Sequence, residues 1–127
     1  NLALPKRLDV MSANWPYTQI AGGLCINMIH IAPWSCSAGL ISGAAQVLEG
    51  NGPLVLYGPF KRNGIHTAPT NETFDRMLQR QNPKWGVRDI EAVEAIARDA
   101  GLDESTAIEM PSNNFCLILR RDIYGLK

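Results

Sequence analysis

Polar side chains cluster where the apolar segments of this chain end. The apolar stretch that begins at Leu24 carries Asn27 at its end, and His30 follows close behind. In an open parallel sheet, ligands bind beyond the carboxyl ends of the strands, so this arrangement indicates a binding site. Further candidates are Asp9, at the end of a short apolar run, and a group around a third run: Tyr57, Gly58, Pro59, Lys61, His66 and Asn71.

Each candidate also has a purely structural interpretation. Asp9 can cap a turn, and Asn27 can satisfy loop backbone groups, as Asn does locally. His30 can be a partly buried histidine whose ring nitrogens are satisfied. Gly58 and Pro59 can simply end a strand, and Thr70 or Asn71 can cap a helix.

The hydrophobic pattern predicts strands that alternate with helices. Bounded apolar runs predict strands over 7–11, from 24 to about 27, over 53–60, 106–110 and 115–121. Apolar residues at helical spacing predict three helices: one capped by Ser35 or Ser37 and ending near Leu48, one from about 72 to 81, and one that Asp89 caps and that ends at Ala100.

The last two predicted strands have no helix between them. Only the polar segment 111–114 separates them, so the pair must be an antiparallel hairpin. The earlier strands alternate with helices, which is typical of a parallel sheet covered on both faces. The pattern therefore predicts an α/β three-layer sandwich, with a mostly parallel sheet that ends in an antiparallel hairpin.

Composition restricts the partners. The chain carries 12 basic and 12 acidic residues, so it gives no strong nucleic-acid signal. The three cysteines have no disulfide or zinc spacing, no metal site is predicted, and no apolar run could cross a membrane, so a cytoplasmic location is expected. Cys36 at a helix start, with His30 or His66, leaves a cysteine hydrolase as a weaker alternative.

Four longer segments resemble a known family. They are "CINMIHIAPW", "LYGPFKRNGIHTAPTNETFD", "WGVRDIEAVEAIARDAGL" and "EMPSNNFCLILRR". They are similar to a small, largely uncharacterised family of methyltransferase-like proteins, the methyltransferase-like protein 26 type, within the class I S-adenosylmethionine-dependent methyltransferase fold. The resemblance extends from about Leu8 to Arg121 and implies an S-adenosylmethionine-dependent methyltransferase whose methyl acceptor is unknown.

The resemblance also implies roles for the candidate residues. Asp9 would hold the adenine, Asn27 and Met28 would contact the cofactor, and Asn27 and His30 would line the methyl side, with His30 as a base. The acceptor pocket would contain Tyr57, Gly58, Pro59, Lys61, His66 and Asn71. The last two strands would be the sixth and seventh of the fold, with the seventh inserted between the fifth and sixth.

One part of the family pattern is not found in this sequence. No G-x-G-x-x-G occurs, so residues 1–127 are expected to form a single domain that lacks the Gly-rich, N-terminal cofactor-binding segment. The strand ending at Asn27 would then be an exposed apolar edge. The alternative function is accordingly a non-catalytic or truncated module that assembles through this edge, for example with a second copy of the chain.

Overall fold

A computed structural model describes residues 2–122 of the chain; residue 1 and residues 123–127 of the predicted domain lie outside the described residues. The described part alternates strands and helices, as the hydrophobic pattern predicts. In chain order the elements are β1 (Gly23–Ile26), α1 (Trp34–Val47), β2 (Leu54–Gly58), β3 (Phe60–Arg62), β4 (Ile65–His66), α2 (Pro69–Gln81), β5 (Arg88–Asp89), α3 (Ile90–Asp99), β6 (Glu104–Met110) and β7 (Asn114–Arg120), with short 3-10 turns at Ile29–Ile31 and Pro111–Asn113.

The main sheet has the strand order β1-β2-β7-β6. β1 and β2 are parallel, whereas β7 runs antiparallel to both of its neighbours. The predicted hairpin is therefore confirmed, and its second strand lies between β2 and β6. This order matches the expected insertion of the seventh strand of the methyltransferase fold between the fifth and the sixth.

One face of this sheet carries the hydrophobic core. Leu56 of β2 pairs with Cys25 of β1 and with Leu117 of β7, so these three side chains share a face. Leu56 and Leu117 are buried in one cluster with Leu40 of α1 and Val93 of α3. The two helices therefore cover the same side of the sheet, and their burial supplies most of the stabilisation of this layer.

The opposite face is apolar but much less covered within the described residues. Leu24 and Ile26 of β1 point to this side and are 66% and 57% exposed. Their neighbours Val55 and Tyr57 on β2 are half-buried. β1 also ends the strand order, so the expected exposed apolar edge is present in the described part of the chain.

A second, three-stranded sheet follows β2. The predicted strand 53–60 is interrupted at Pro59, because proline cannot donate a backbone hydrogen bond to a ladder. The chain then continues as β3, which pairs antiparallel with β4 and parallel with β5 in the order β4-β3-β5. This small sheet places Lys61 and His66 on neighbouring strands.

The predicted helix caps were wrong at two helices. α1 begins at Trp34 directly after Pro33, so Ser35 and Ser37 lie inside its first turn and make no cap. α2 begins at Pro69, whose fixed φ suits the first helical position, so the helix starts before the predicted cap residues Thr70 and Asn71.

The predicted strand over 7–11 does not form. Asp9 lies instead in an exposed turn, where its Oδ1 accepts the Met11 N–H at 2.9 Å and its carbonyl accepts the Ser12 N–H at 2.9 Å. A carboxylate that bonds the backbone two residues on stabilises a turn in place of an extended strand. The expected position of Asp9 at a strand end is therefore wrong. None of the helices among the described residues is long and apolar enough to cross a membrane.

Candidate functional site

The site is centred on the adjacent carboxyl ends of β1 and β2. Asn27, directly after β1, donates its backbone N–H to the Tyr57 carbonyl at 2.9 Å, so the two strand ends are tied together. Asn27 has φ of 53°, in the left-handed region that Asn tolerates better than most residues. This conformation turns the chain out of β1 and into the 3-10 turn that carries His30.

Gly58 at the end of β2 allows Asn27 and His30 to converge. A Cβ at Gly58 would lie 3.3 Å from Asn27 Oδ1 and 3.4 Å from His30 Cε1. Both side chains therefore lie against the same glycine, which presents only backbone to them. The sequence predicts these three residues at or near strand ends, the structure brings them together, and their chemical roles remain predictions.

His30 is buried, and its pKa is lowered. Its side chain is largely removed from solvent, and the edge of its ring meets Phe74 of α2 at a centroid distance of 5.6 Å and an angle of 63°. Burial, together with the positive charge of Arg88, lowers the pKa of His30. The ring is therefore neutral at neutral pH and can accept a proton from a group beside it.

The second histidine is held by a carboxylate. His66 Nε2 lies 3.1 Å from Oδ2 of the buried Asp75, which immediately follows Phe74 on α2. Asp75 Oδ1 also accepts the Val87 N–H at 2.9 Å and the Gln79 amide at 3.0 Å. The two histidines thus contact consecutive residues of one helix. Asp75 was not among the predicted residues, since nothing in the sequence pairs it with His66.

Asn71 and Tyr57 both bond to the turn between β6 and β7. The buried Asn71 amide donates to the Asn113 carbonyl at 3.0 Å, and Asn114 donates to the Tyr57 hydroxyl at 3.1 Å. Asn113 and Ser112 have φ of 60° and 64°, which gives the turn its tight shape. A cavity of about 170 Å³ lies beside this turn, lined by Thr67, Glu109, Met110, Asn113, Asn114 and Phe115.

The remaining predicted residues lie at the margins of the site. Pro59 is buried between β2 and β3, and Lys61 on β3 pairs with Asp89 at 3.8 Å. Met28 is half-buried against the core and its carbonyl accepts the Ile31 N–H at 3.0 Å. Cys36 lies in the first turn of α1, as the cysteine-hydrolase alternative requires, but His66 is already paired with Asp75.

A family model matches residues 1–121, nearly the whole chain, and its description is a protein of unknown function, DUF938. The chain belongs to the DUF938 family. The description of this family names no activity, which agrees with the expected membership of an uncharacterised family. It does not test the closer resemblance to the methyltransferase-like protein 26 type.

Solved structures show the fold of this DUF938 chain. Human N-acetylserotonin methyltransferase in complex with SAM aligns with a TM-score of 0.78 at 9% identity, over 91% of this chain and 33% of that one. An O-methyltransferase family protein from Burkholderia thailandensis aligns with a TM-score of 0.77 at 15% identity, over 91% and 35%. CalO1, a methyltransferase in calicheamicin biosynthesis with SAH bound, gives 0.72 at 14%, over 91% and 33%.

These likenesses confirm the predicted partial methyltransferase fold. At such low identity they show the fold alone. The DUF938 chain spans about a third of the length of the methyltransferases that it matches.

Proposed function

We propose that the protein is an S-adenosylmethionine-dependent methyltransferase of the methyltransferase-like protein 26 type, with a methyl acceptor that is still to be identified. The observation that carries this proposal is the convergence of Asn27 and His30 on Gly58. It occurs at the carboxyl edge of the parallel pair β1–β2, where ligands bind in open α/β sheets. The methyltransferases of the same fold were solved with SAM or SAH, which supports this cofactor.

Gly58 is buried and lets two polar side chains approach the end of β2 closely. A Cβ there would lie 3.3 Å from Asn27 Oδ1 and 3.4 Å from His30 Cε1, so a side chain at this position would crowd both groups. Asn27 is exposed, so its amide can bond to a cofactor, and Met28 adjoins it. Asp9 remains a proposed adenine contact, now from an exposed turn and not from a strand end.

The chemistry that we assign to the chain is proton acceptance. S-adenosylmethionine, when bound, supplies an electrophilic methyl group on a sulfonium. His30 is neutral because burial and the charge of Arg88 lower its pKa, so it can take the proton that a hydroxyl or similar acceptor loses during transfer. Tyr57, Pro59, Lys61, His66 and Asn71 are the proposed acceptor contacts and would orient that acceptor.

Calorimetry on the gene product that carries this sequence tests the proposal. Titration with SAH should give a measurable heat of binding, and Gly58→Ala should weaken binding because its methyl group crowds Asn27 and His30. Gly22→Ala is a matched control, since a Cβ there meets only Pro53 at an ordinary distance of 3.5 Å. The absence of binding heat with up to about 1 mM SAH would contradict the proposal, because it would mean a binding free energy weaker than about 4 kcal/mol.

A second candidate function is assembly through β1. It is favoured by the open edge of this strand and by the exposure of Leu24 and Ile26, a combination that invites pairing with another strand. A second copy of the chain is the proposed partner. Light scattering should show a dimer of the wild type, and Leu24→Lys should disrupt this dimer. Met77→Lys, at an exposed position of α2, is the control and should leave the dimer intact. A wild-type protein that stays monomeric at high concentration would exclude this function.

A further inference from the structure

Arg88 at the start of β5 reaches across the fold to the turn that carries His30. Its Nε donates to the Ile29 carbonyl at 3.3 Å, and one terminal nitrogen donates to the carbonyls of Ala32 and Lys84 at 2.8 Å each. Its guanidinium also lies 5.5 Å from the centre of the Trp34 ring. One side chain therefore bonds to both sides of His30 and contacts the start of α1.

The backbone beside Arg88 adds a further hydrogen bond to the same turn. Gly86 donates its N–H to the His30 carbonyl at 3.0 Å, so the segment 86–88 binds the carbonyls of Ile29, His30 and Ala32. The segment is itself anchored, because the Val87 N–H is bonded to Asp75 of α2. The backbone carbonyls of the turn are thus bonded to the segment 86–88, and the His30 ring lies near Gly58.

We propose that Arg88 is a positioning residue for His30, holding the 3-10 turn so that the His30 ring stays beside Asn27 and Gly58. The proposal rests on the proposed function, in which His30 is the proton acceptor. Arg88 bonds to the backbone carbonyls of Ile29 and Ala32 on either side of His30, so it acts through the backbone of the turn and through its charge.

A guanidinium suits this task better than an ammonium. Arg88 bonds to three carbonyls through two of its nitrogens, and the planar fork of arginine presents fixed donors to several acceptors at once. Lysine would keep the positive charge but would lose the fork. The two contributions of Arg88, geometry and charge, can therefore be separated by substitution.

The charge contribution has a direct readout. Arg88 lies near His30 and is one of the two causes that lower the pKa of His30, after burial. Other titratable groups on elements around this turn are Lys84 beside Arg88, Asp75 with its partner His66, Asp89 with its partner Lys61, and Cys36 in the first turn of α1. Removing the charge of Arg88 should therefore raise the pKa of His30 toward its ordinary value.

NMR of the histidine rings tests the proposal, because the chain has two histidines and His66→Gln assigns them. Arg88→Met should raise the pKa of His30, shift its ring signals and weaken SAH binding about tenfold, which is roughly 1.4 kcal/mol. Arg88→Lys should leave the pKa lowered but still shift the ring signals, since only the fork is lost. Arg98→Met, on the exposed side of α3, is the matched control and should change none of these quantities.

The outcomes separate the two proposals. If folded Arg88→Met keeps the His30 pKa and ring signals of the wild type, the positioning role is overturned, even if the variant is less stable. If both Arg88 variants shift His30 as expected but SAH leaves the wild-type His30 signals unchanged, the positioning role is supported and the proposed methyltransferase function is contradicted.

Discussion

Removing the Asp75 carboxylate should destabilise the protein through one buried backbone group. Asp75 is only 6% exposed and accepts hydrogen bonds from the Val87 N–H, from Gln79 and from His66. Asp75→Ala leaves the buried Val87 N–H without its acceptor, which costs about 2 kcal/mol, and the lost His66 contact adds about 1 kcal/mol. Gln79 is exposed and can bond to water instead. The expected loss in the free energy of unfolding is therefore about 3 kcal/mol.

The loss is large relative to a typical folding free energy of about 5–15 kcal/mol. At roughly 4 °C per kcal/mol for a chain of this size, it corresponds to a decrease of about 12 °C in Tm. Asp75→Asn should cost only about 1 kcal/mol, because its carbonyl can still accept the Val87 N–H. The pair of variants separates the hydrogen bond to the segment 86–88 from the charge beside His66.

Urea unfolding of the wild type and the two variants at one pH measures these differences. Asp99→Ala is the control: Asp99 is exposed at the end of α3, so its removal should change stability by less than about 0.5 kcal/mol. If Asp75→Ala costs less than 1 kcal/mol, or costs no more than Asp75→Asn, the reasoning from the Val87 N–H is wrong.

Three further predictions concern other parts of the fold. Folding lowers the pKa of His30, through burial and then through the charge of Arg88, so the unfolded state takes up the proton at a higher pH than the folded state. The free energy of unfolding should therefore fall as the pH decreases below 6.5. Urea midpoints at pH 7 and 5.5 measure this decrease, and His30→Gln should remove the contribution of this group. Asn27→Ala should cost about 1 kcal/mol in urea unfolding, and Asn27→Gly less, because only the alanine is strained at a φ of 53°. Leu117→Ala, at a fully buried position of β7, should cost about 2–5 kcal/mol in the same assay.

The strands and helices of the core could be predicted because their residues follow local rules. The run over 115–121 alternates between the two faces of β7, and the apolar spacing of α3 places Val93 and Ala97 in the core. The short polar segment between the last two runs allows only a hairpin. Nothing beyond neighbouring residues is needed for these predictions, and the structure confirms them.

The errors occurred where two local rules competed. The run over 7–11 is apolar enough for a strand, but Asp9 bonds to the backbone two residues on and favours a turn. Asn71 is a good helix cap by type, but Pro69 starts α2 earlier because its φ is already helical. Asn71 is then inside the helix and buried, and its amide bonds to Asn113 of the distant β6–β7 turn.

The candidate site could be predicted only in part, because its members are joined by contacts that the sequence does not encode locally. Asn27, His30 and Gly58 were predicted because they follow strands whose carboxyl ends meet at one edge of a parallel sheet. Arg88 and Asp75 were not predicted. Arg88 bonds to residues that lie 59 and 56 positions earlier in the chain, and local patterns carry no information about such distant contacts. No periodicity or spacing predicts that an arginine after "PKWGV" bonds to a turn before α1.

His30 shows why the structural and functional interpretations of one residue need not compete. From the sequence, a buried histidine and a catalytic base are alternatives. In the structure the burial of His30 lowers its pKa, so the ring stays in the neutral form that can accept a proton. The segment 86–88 that fixes the turn also brings the charge of Arg88 close to the ring. The same contacts that stabilise this turn would therefore prepare His30 for chemistry, and substitutions that remove the charge of Arg88 should change both stability and the His30 pKa.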